Sequence, residues 1–542
     1  MNTLDITGQL VDIHQKRIYP ARIVIQHGKI AEITPMESAP EVFIIPGFVD
    51  AHVHIESSML TPCQFARLAV VHGTIATVSD PHEIGNVLGL EGVRYMIENG
   101  KMVPFYFNFG APSCVPATIF ETAGAEITVD DVQELLQMEE IKYLAEMMNY
   151  PGVLHQDASV MAKIGAAKKV GKPVDGHAPG LRGEQALTYI EAGISTDHEC
   201  FTAEEALDKL KGGMKILIRE GSAAKNFEAL IELLPDYPDQ MMFCSDDKHP
   251  DSLVSGHINV LAARAVEKGC DVFDVLQVAC INPVLHYKLD SGLIRVGDNA
   301  DLIVVQNLKS FKVLQTYIKG SLVAENGQTN ISSFESKIIN HFDVSFKSSD
   351  QFLVKDSGKQ ISVIEAIDGQ LITNKLTYQP LVQNGYIQSD VENDILKIAV
   401  VNRYHEAPVA IGFIKNMGLK EGALASSVAH DSHNIIVVGV DDESICKAVN
   451  LIIEAKGGLA GVTQQEEQVI PLPIAGLMTG VDGYLVAQQY ENLDLMSKKM
   501  GSTLLSPFMT LSFMALLVIP SLKLSDKGLF DGDIFQFVPV VS

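Results

Sequence analysis

Between residues 46 and 290 an apolar, β-type run gives way to a helix-type stretch eight times over, and this alternation limits the fold more than any other feature. The runs are 43–55, 74–79, 102–109, 141–146, 173–177, 193–197, 214–219 and 241–245, with amphipathic segments such as 130–138, 183–192 and 227–234 between them. Eight β/α units in series predict an α/β fold, a (β/α)8 barrel of TIM type over 46–290. The alternative, a doubly wound open sheet, would carry a Gly-rich phosphate loop after its first strand, and none is present. Short β segments occupy 1–45 and return at 291–340, which predicts a small β-sandwich domain formed from both flanks. From 345 to 542 the pattern is strand-rich, with 396–401 and 434–439 as sheet core, and predicts an additional C-terminal α+β domain. Within it, 457–462 reads as a close backbone crossing and 508–520 as a buried strand or helix.

The net charge of −26 repels phosphate backbones and anionic lipid, so neither nucleic acid nor membrane is expected as the main partner. A small neutral substrate and metal cations suit it better. The seven Cys include no CxxC pair, which leaves no disulfide framework and no zinc knot and predicts a reducing compartment. The first residues lack the apolar core of a signal peptide and 508–520 is shorter than a bilayer span, so a cytoplasmic protein is expected.

Catalytic residues of such a barrel sit at the C-terminal ends of its strands. The first run ends with His52 and His54, which as i and i+2 on a strand point to one face and can share a cation. The fourth ends at Glu146, placed to bridge two metals. The fifth ends at His177, the sixth at His198, followed by Glu199, and the eighth at Asp246 and Asp247. A lone His or HxH is a weak signal, since a hydrogen-bonded structural histidine is the commoner case. Ligand types at five strand ends on one level point to a metal site, and imidazoles with carboxylates suit divalent Zn, Mn or Fe.

This order of ligands resembles the amidohydrolase superfamily, and the longer words resemble adenine deaminases of the prokaryotic type. They are PGFVDAHVHIESSM (46–59), SDPHEIGNV (79–87), LAEMMNYPGV (144–153), DGHAPG (175–180), IREGSAA (218–224) and SDDKHP (245–250). They continue with AHDSHNI (429–435), PLPIAGLM (471–478) and GLFDG (528–532), so the resemblance spans nearly the whole chain. It implies a binuclear divalent centre of Mn or Fe, with Zn as a further candidate, held by His52, His54, Glu146, His177, His198 and Asp246. It also implies a purine substrate and hypoxanthine and ammonia as products; a homo-oligomer, dimer or larger, is expected. Glu146 stands where many superfamily members carry a carbamylated Lys, and Lys142 is expected to be structural.

Asp246 is the expected ligand and proton shuttle, with Glu146 the catalytic bridge. Asp247 would face away if the strand continues, with a cap or turn carboxylate as the other reading. Glu83 is favoured over Glu199 for holding a proton near purine N1, against a capping role for the cluster Asp80–Glu83. Arg219 and Ser222, with Glu220 between them, are expected at the purine's other edge from position alone. His430–His433 resembles a metal-binding word; a loop closing the pocket is favoured over a second metal site. A cyclic amide or imide hydrolase and a non-catalytic member are the alternatives. The zinc nucleobase deaminases are excluded, because they need a CxxC after their HxE.

Overall fold

The computed structural model describes residues 3–541; Met1, Asn2 and Ser542, the extreme positions of the first and last expected domains, lie outside the described residues. The eight runs supply eight strands: β1 (Phe48–His54), β2 (Thr74–Ser79), β3 (Tyr106–Ala111), β4 (Ile141–Met147), β5 (Val174–Gly176), β6 (Thr196–Asp197), β7 (Lys215–Arg219) and β8 (Met241–Cys244). Neighbours pair in parallel from β1 to β5 and again from β6 to β8. Between β5 and β6 the Ser195 N–H donates to the Val174 carbonyl at 2.8 Å, and Asp246–Asp247, just past β8, pair with Val53 and His54 of β1. The strands therefore follow one another around an α/β barrel. Every residue of β1, β2 and β8 is buried, as a sheet covered on both faces requires.

Two stretches depart from the sequence reading. The first run is broken at Gly47: Phe43–Pro46 belongs to another sheet, and a Cβ on Gly47 would sit 2.5 Å from Ile75. The third run begins as a loop, because Val103 and Phe105 are buried without being in a strand, and apolarity alone does not separate the two cases.

The flanks form one continuous eight-stranded sheet that curls back on itself, Lys29 of its last strand bridging to Asn299 just before Leu302–Val305. Its order is Gln328–Thr329, Ser321–Glu325, Val313–Ile318, Leu302–Val305, Phe43–Pro46, Thr3–Asp12, Arg17–Gln26 and Lys29–Pro35. Phe43–Pro46 joins the halves, antiparallel to Leu302–Val305 and parallel to Thr3–Asp12. A core of its own takes Ile23 and Ile30 from one half and Leu302 and Tyr317 from the other.

The last region builds a second eight-stranded sheet with Ile395–Val401 and Ile435–Gly439 side by side at its centre, and the helix Asp442–Ala455 packs its apolar face on it. Gly458 lets two strands approach: a Cβ there would lie 2.3 Å from the Ile470 carbonyl oxygen. The run 508–520 opens as the helix Pro507–Phe513, buried throughout. No helix among the described residues is long and apolar enough to cross a membrane.

Candidate active site

His52 and His54 end β1 on the same side, their Nε2 atoms 3.1 Å apart. Glu146 on β4 sits between the histidine groups, with Oε1 3.3 Å from His54 Nε2 and Oε2 2.7 Å from His177 Nδ1 and 3.2 Å from His198 Nε2. Asp246 Oδ1 lies 3.1 Å from His54 Nε2 and 3.5 Å from His52 Nε2. The six residues proposed from the sequence as ligands thus converge, and all are buried. The donor set fits divalent cations. Nitrogen and oxygen ligands bound at ~2.0–2.2 Å around a tetrahedral centre lie about 3.3–3.6 Å from one another. His52, Glu146 and His198 form one compact group of donor atoms and His52, His54 and Asp246 another, while Glu146 stands in a third with His54, Asp80 and His82.

The charges are similarly poised. Burial alone would raise Glu146, but the surrounding imidazoles of His177, His198 and His54 hold it well below the usual carboxylate range. Burial likewise disfavours charge on His54, yet the Asp246 and Glu146 carboxylates raise it well above an ordinary histidine. His52, where burial and His198 dominate, is lowered.

Beneath this ring the guanidinium of Arg219, fully buried at the end of β7, engages Glu199 with both Nη atoms and donates to Asp246 Oδ2 at 2.8 Å. Burial opposes ionisation of Asp246, but Arg219 holds its carboxyl well below the usual range. Arg219 is therefore turned under the carboxylates and does not line the pocket, contrary to its expected place at a purine edge. Ser222 is absent from the lining as well: its hydroxyl meets Ser252 Oγ at 3.0 Å and accepts from the His249 N–H at 2.8 Å. Position at a strand end identifies the level of a residue, and for these two the side chain turns away from the cavity. Lys142 pairs with Asp290 at 3.1 Å.

The pocket above the ring is a small cleft enclosing about 310 Å³ of space, open solvent included. Both Asp246 and Asp247 line it, because Asp246 adopts a left-handed φ of 55° and strand alternation stops there. Asp247 accepts from Ser57 Oγ. One side wall is His82, Glu83, His430 and Asp431. In the DPHE word the two expected roles divide. Asp80 Oδ1 accepts from the His82 N–H at the start of the helix His82–Gly100, while Glu83 faces the pocket. Glu83 meets His430 Nδ1 at 2.6 Å through Oε1 and His433 Nε2 through Oε2. The histidines of 430–433 thus bind a carboxylate of the barrel. The remaining wall is apolar: Met148, Leu371, Phe513 and Leu516. The sequence marks His82 only as part of a polar cluster, and marks 508–520, which supplies Phe513 and Leu516, as buried without placing it at the pocket.

Residues 43–323 match the amidohydrolase family model and residues 370–536 the adenine deaminase C-terminal domain model. The chain is 54% identical to the adenine deaminase of Salinibacter ruber, over 99% of this chain and 98% of that one. It is 54% identical to the adenine deaminase of Sulfurovum sp. NBC37-1, over 99% of each. The adenine deaminase of Borreliella burgdorferi is 50% identical over 99% of this chain and all of its own. Both halves of the pocket fall inside matched segments, and by identity sustained over nearly all of each relative's length the chain belongs to the adenine deaminase family of amidohydrolases.

Proposed function

We propose that the protein hydrolyses adenine at C6 to hypoxanthine and ammonia, with a divalent metal pair, Mn or Fe before Zn, held by His52, His54, Glu146, His177, His198 and Asp246. The observation that carries this reading is Glu146: one oxygen faces His54 and the other faces His177 and His198, as a carboxylate between two cations would. Bound there, a metal pair supplies the acidity that makes water a nucleophile near neutral pH. Asp246 takes a proton from the attacking water and passes it to the departing 6-amino nitrogen. Arg219 keeps Asp246 oriented for this, through Oδ2. As C6 is attacked its π pair with N1 moves onto N1, and the wall containing Glu83 supplies the polar group that meets it; Glu199, gripped by Arg219, is the less suited carboxylate.

The test is direct. Mn-loaded protein incubated with adenine is followed by ultraviolet difference spectra and ammonia release, alongside adenosine and a panel of cyclic amides. Adenine is expected to be consumed and adenosine to be turned over poorly. Rapid hydrolysis of a cyclic amide with adenine untouched would overturn the reading.

A further inference from the structure

Attack at C6 needs a hydrogen-bond donor at N1, and a carboxylate carrying its negative charge has none to offer. Glu199 is held bidentately by Arg219. Oε1 of Glu83 is hydrogen-bonded to His430 Nδ1, and Oε2 faces His433 Nε2. The Ala429 N–H points at His433 Nδ1 at 3.3 Å, so Nδ1 accepts and the proton of neutral His433 sits on Nε2, beside Glu83. Of the two imidazoles on this wall, His82 has both nitrogens facing carboxylates: Nδ1 is 3.2 Å from Asp80, and Nε2 is 3.6 Å from Glu83 and from Asp431. His430 differs. Its Nδ1 is hydrogen-bonded to Glu83, whereas neither nitrogen of His82 has a hydrogen-bond partner; the Nε2 of His430 is buried and free, its ring lines the pocket, and Phe513 packs 5.2 Å from it.

We propose that His430, from the last region of the chain, is a catalytic residue that donates from Nε2 to purine N1, with Glu83 behind it as the orienting carboxylate. The arrangement follows the logic of a carboxylate–histidine pair, in which the acid fixes the tautomer and stabilises the imidazolium. It rests on the adenine reading above and refines the part given to Glu83. The His430 proton goes to N1 as the C6–N1 π pair moves there and the C6–O bond forms. Of the two water protons, one leaves with ammonia through Asp246 when the C6–N bond breaks, and the other restores His430. Burial disfavours charge on His430, but Glu83, Asp247 and Asp431 outweigh it and push it up to about 9, which keeps a proton available on Nε2.

Two unreactive ligands isolate the contact: 6-methylpurine, which has N1, and its 1-deaza analogue, which does not. Calorimetry on the metal-loaded protein is expected to give roughly a tenfold preference for 6-methylpurine, the size of a charge-assisted hydrogen bond. A Gln amide reaches the place of Nε2 and an Asn amide that of Nδ1. His430→Gln should therefore keep part of the preference and part of the adenine turnover, while His430→Asn should lose the preference and roughly a hundredfold or more of kcat at unchanged metal content. An unchanged preference in both variants would overturn the proposal. So would an Asn variant that outperforms Gln while both ligands weaken equally, which would make His430 a brace for Glu83. If the preference behaves as stated but wild type leaves adenine intact, the N1 contact stands and the adenine reading falls.

Discussion

At Asp246 the left-handed backbone aims one carboxylate oxygen at the histidines of β1 and leaves the other to Arg219. Asp246→Asn preserves size and the approach to the metal but removes the base. Turnover is expected to fall roughly a hundredfold to ten-thousandfold with metal content retained, read by steady-state kinetics beside elemental analysis. Parallel loss of metal and rate would reduce Asp246 to a ligand. Glu146→Gln asks the converse question, since a neutral amide cannot balance two cations; loss of metal together with near-complete loss of activity is expected. A folded, active variant with its metal intact would end the bridging role. His52, His54, Glu146, His177 and His198 were legible in the sequence because strand geometry puts them on one level and one face. Asp247 was not, because a single left-handed residue cancels alternation. Nor was the partner of Glu83, since His430 lies 347 residues further along the chain.

Elements were legible where periodicity and burial agree, as in β1, β2 and β8, and illegible where a buried loop imitates a strand, as before β3. The apolar wall of the pocket was out of reach because the loop at Leu371 and the helix Pro507–Phe513 meet only in the folded chain. Lys523 ties them: fully buried, it donates to the carbonyls of Leu371 and Phe513. Burial pushes its amine down to about 7 from an ordinary 10.5. Between those values the unfolded chain binds the proton and the folded chain does not, so stability rises with pH through that window. Below about 7 both states are charged and the gain is gone. The melting temperature of Lys523→Met, relative to wild type, should therefore be highest at pH 7 and below and decline toward pH 10. A difference that stays level from pH 6 to 10 would mean that the folded amine keeps its proton. Loosening this tie is also expected to raise KM for adenine more than it lowers kcat, because the wall lines the pocket with apolar side chains and brings no acid or base to it.

Over the whole molecule the net charge of −26 acts on anything charged that approaches. Adenine is neutral, so kcat/KM is expected to change by less than about twofold between 50 and 500 mM salt, whereas inhibition by AMP should be weak and should strengthen as salt screens the field. A steep salt dependence for adenine would indicate charge steering that this balance does not provide. The flanking sheet has a different consequence, one that concerns time. Phe43–Pro46 leaves the ribosome roughly 250 residues before Leu302–Val305, the strand that pairs along it. At ~5–20 residues per second that edge waits roughly 10–50 s with its backbone groups open and Ile44 and Ile45 uncovered. An open apolar edge of this kind recruits other strands, so the nascent chain is most prone to aggregate in that interval. A pulse-labelled chain halted near residue 200 should accordingly bind chaperone more tightly than one halted beyond 330, whose sheet is complete.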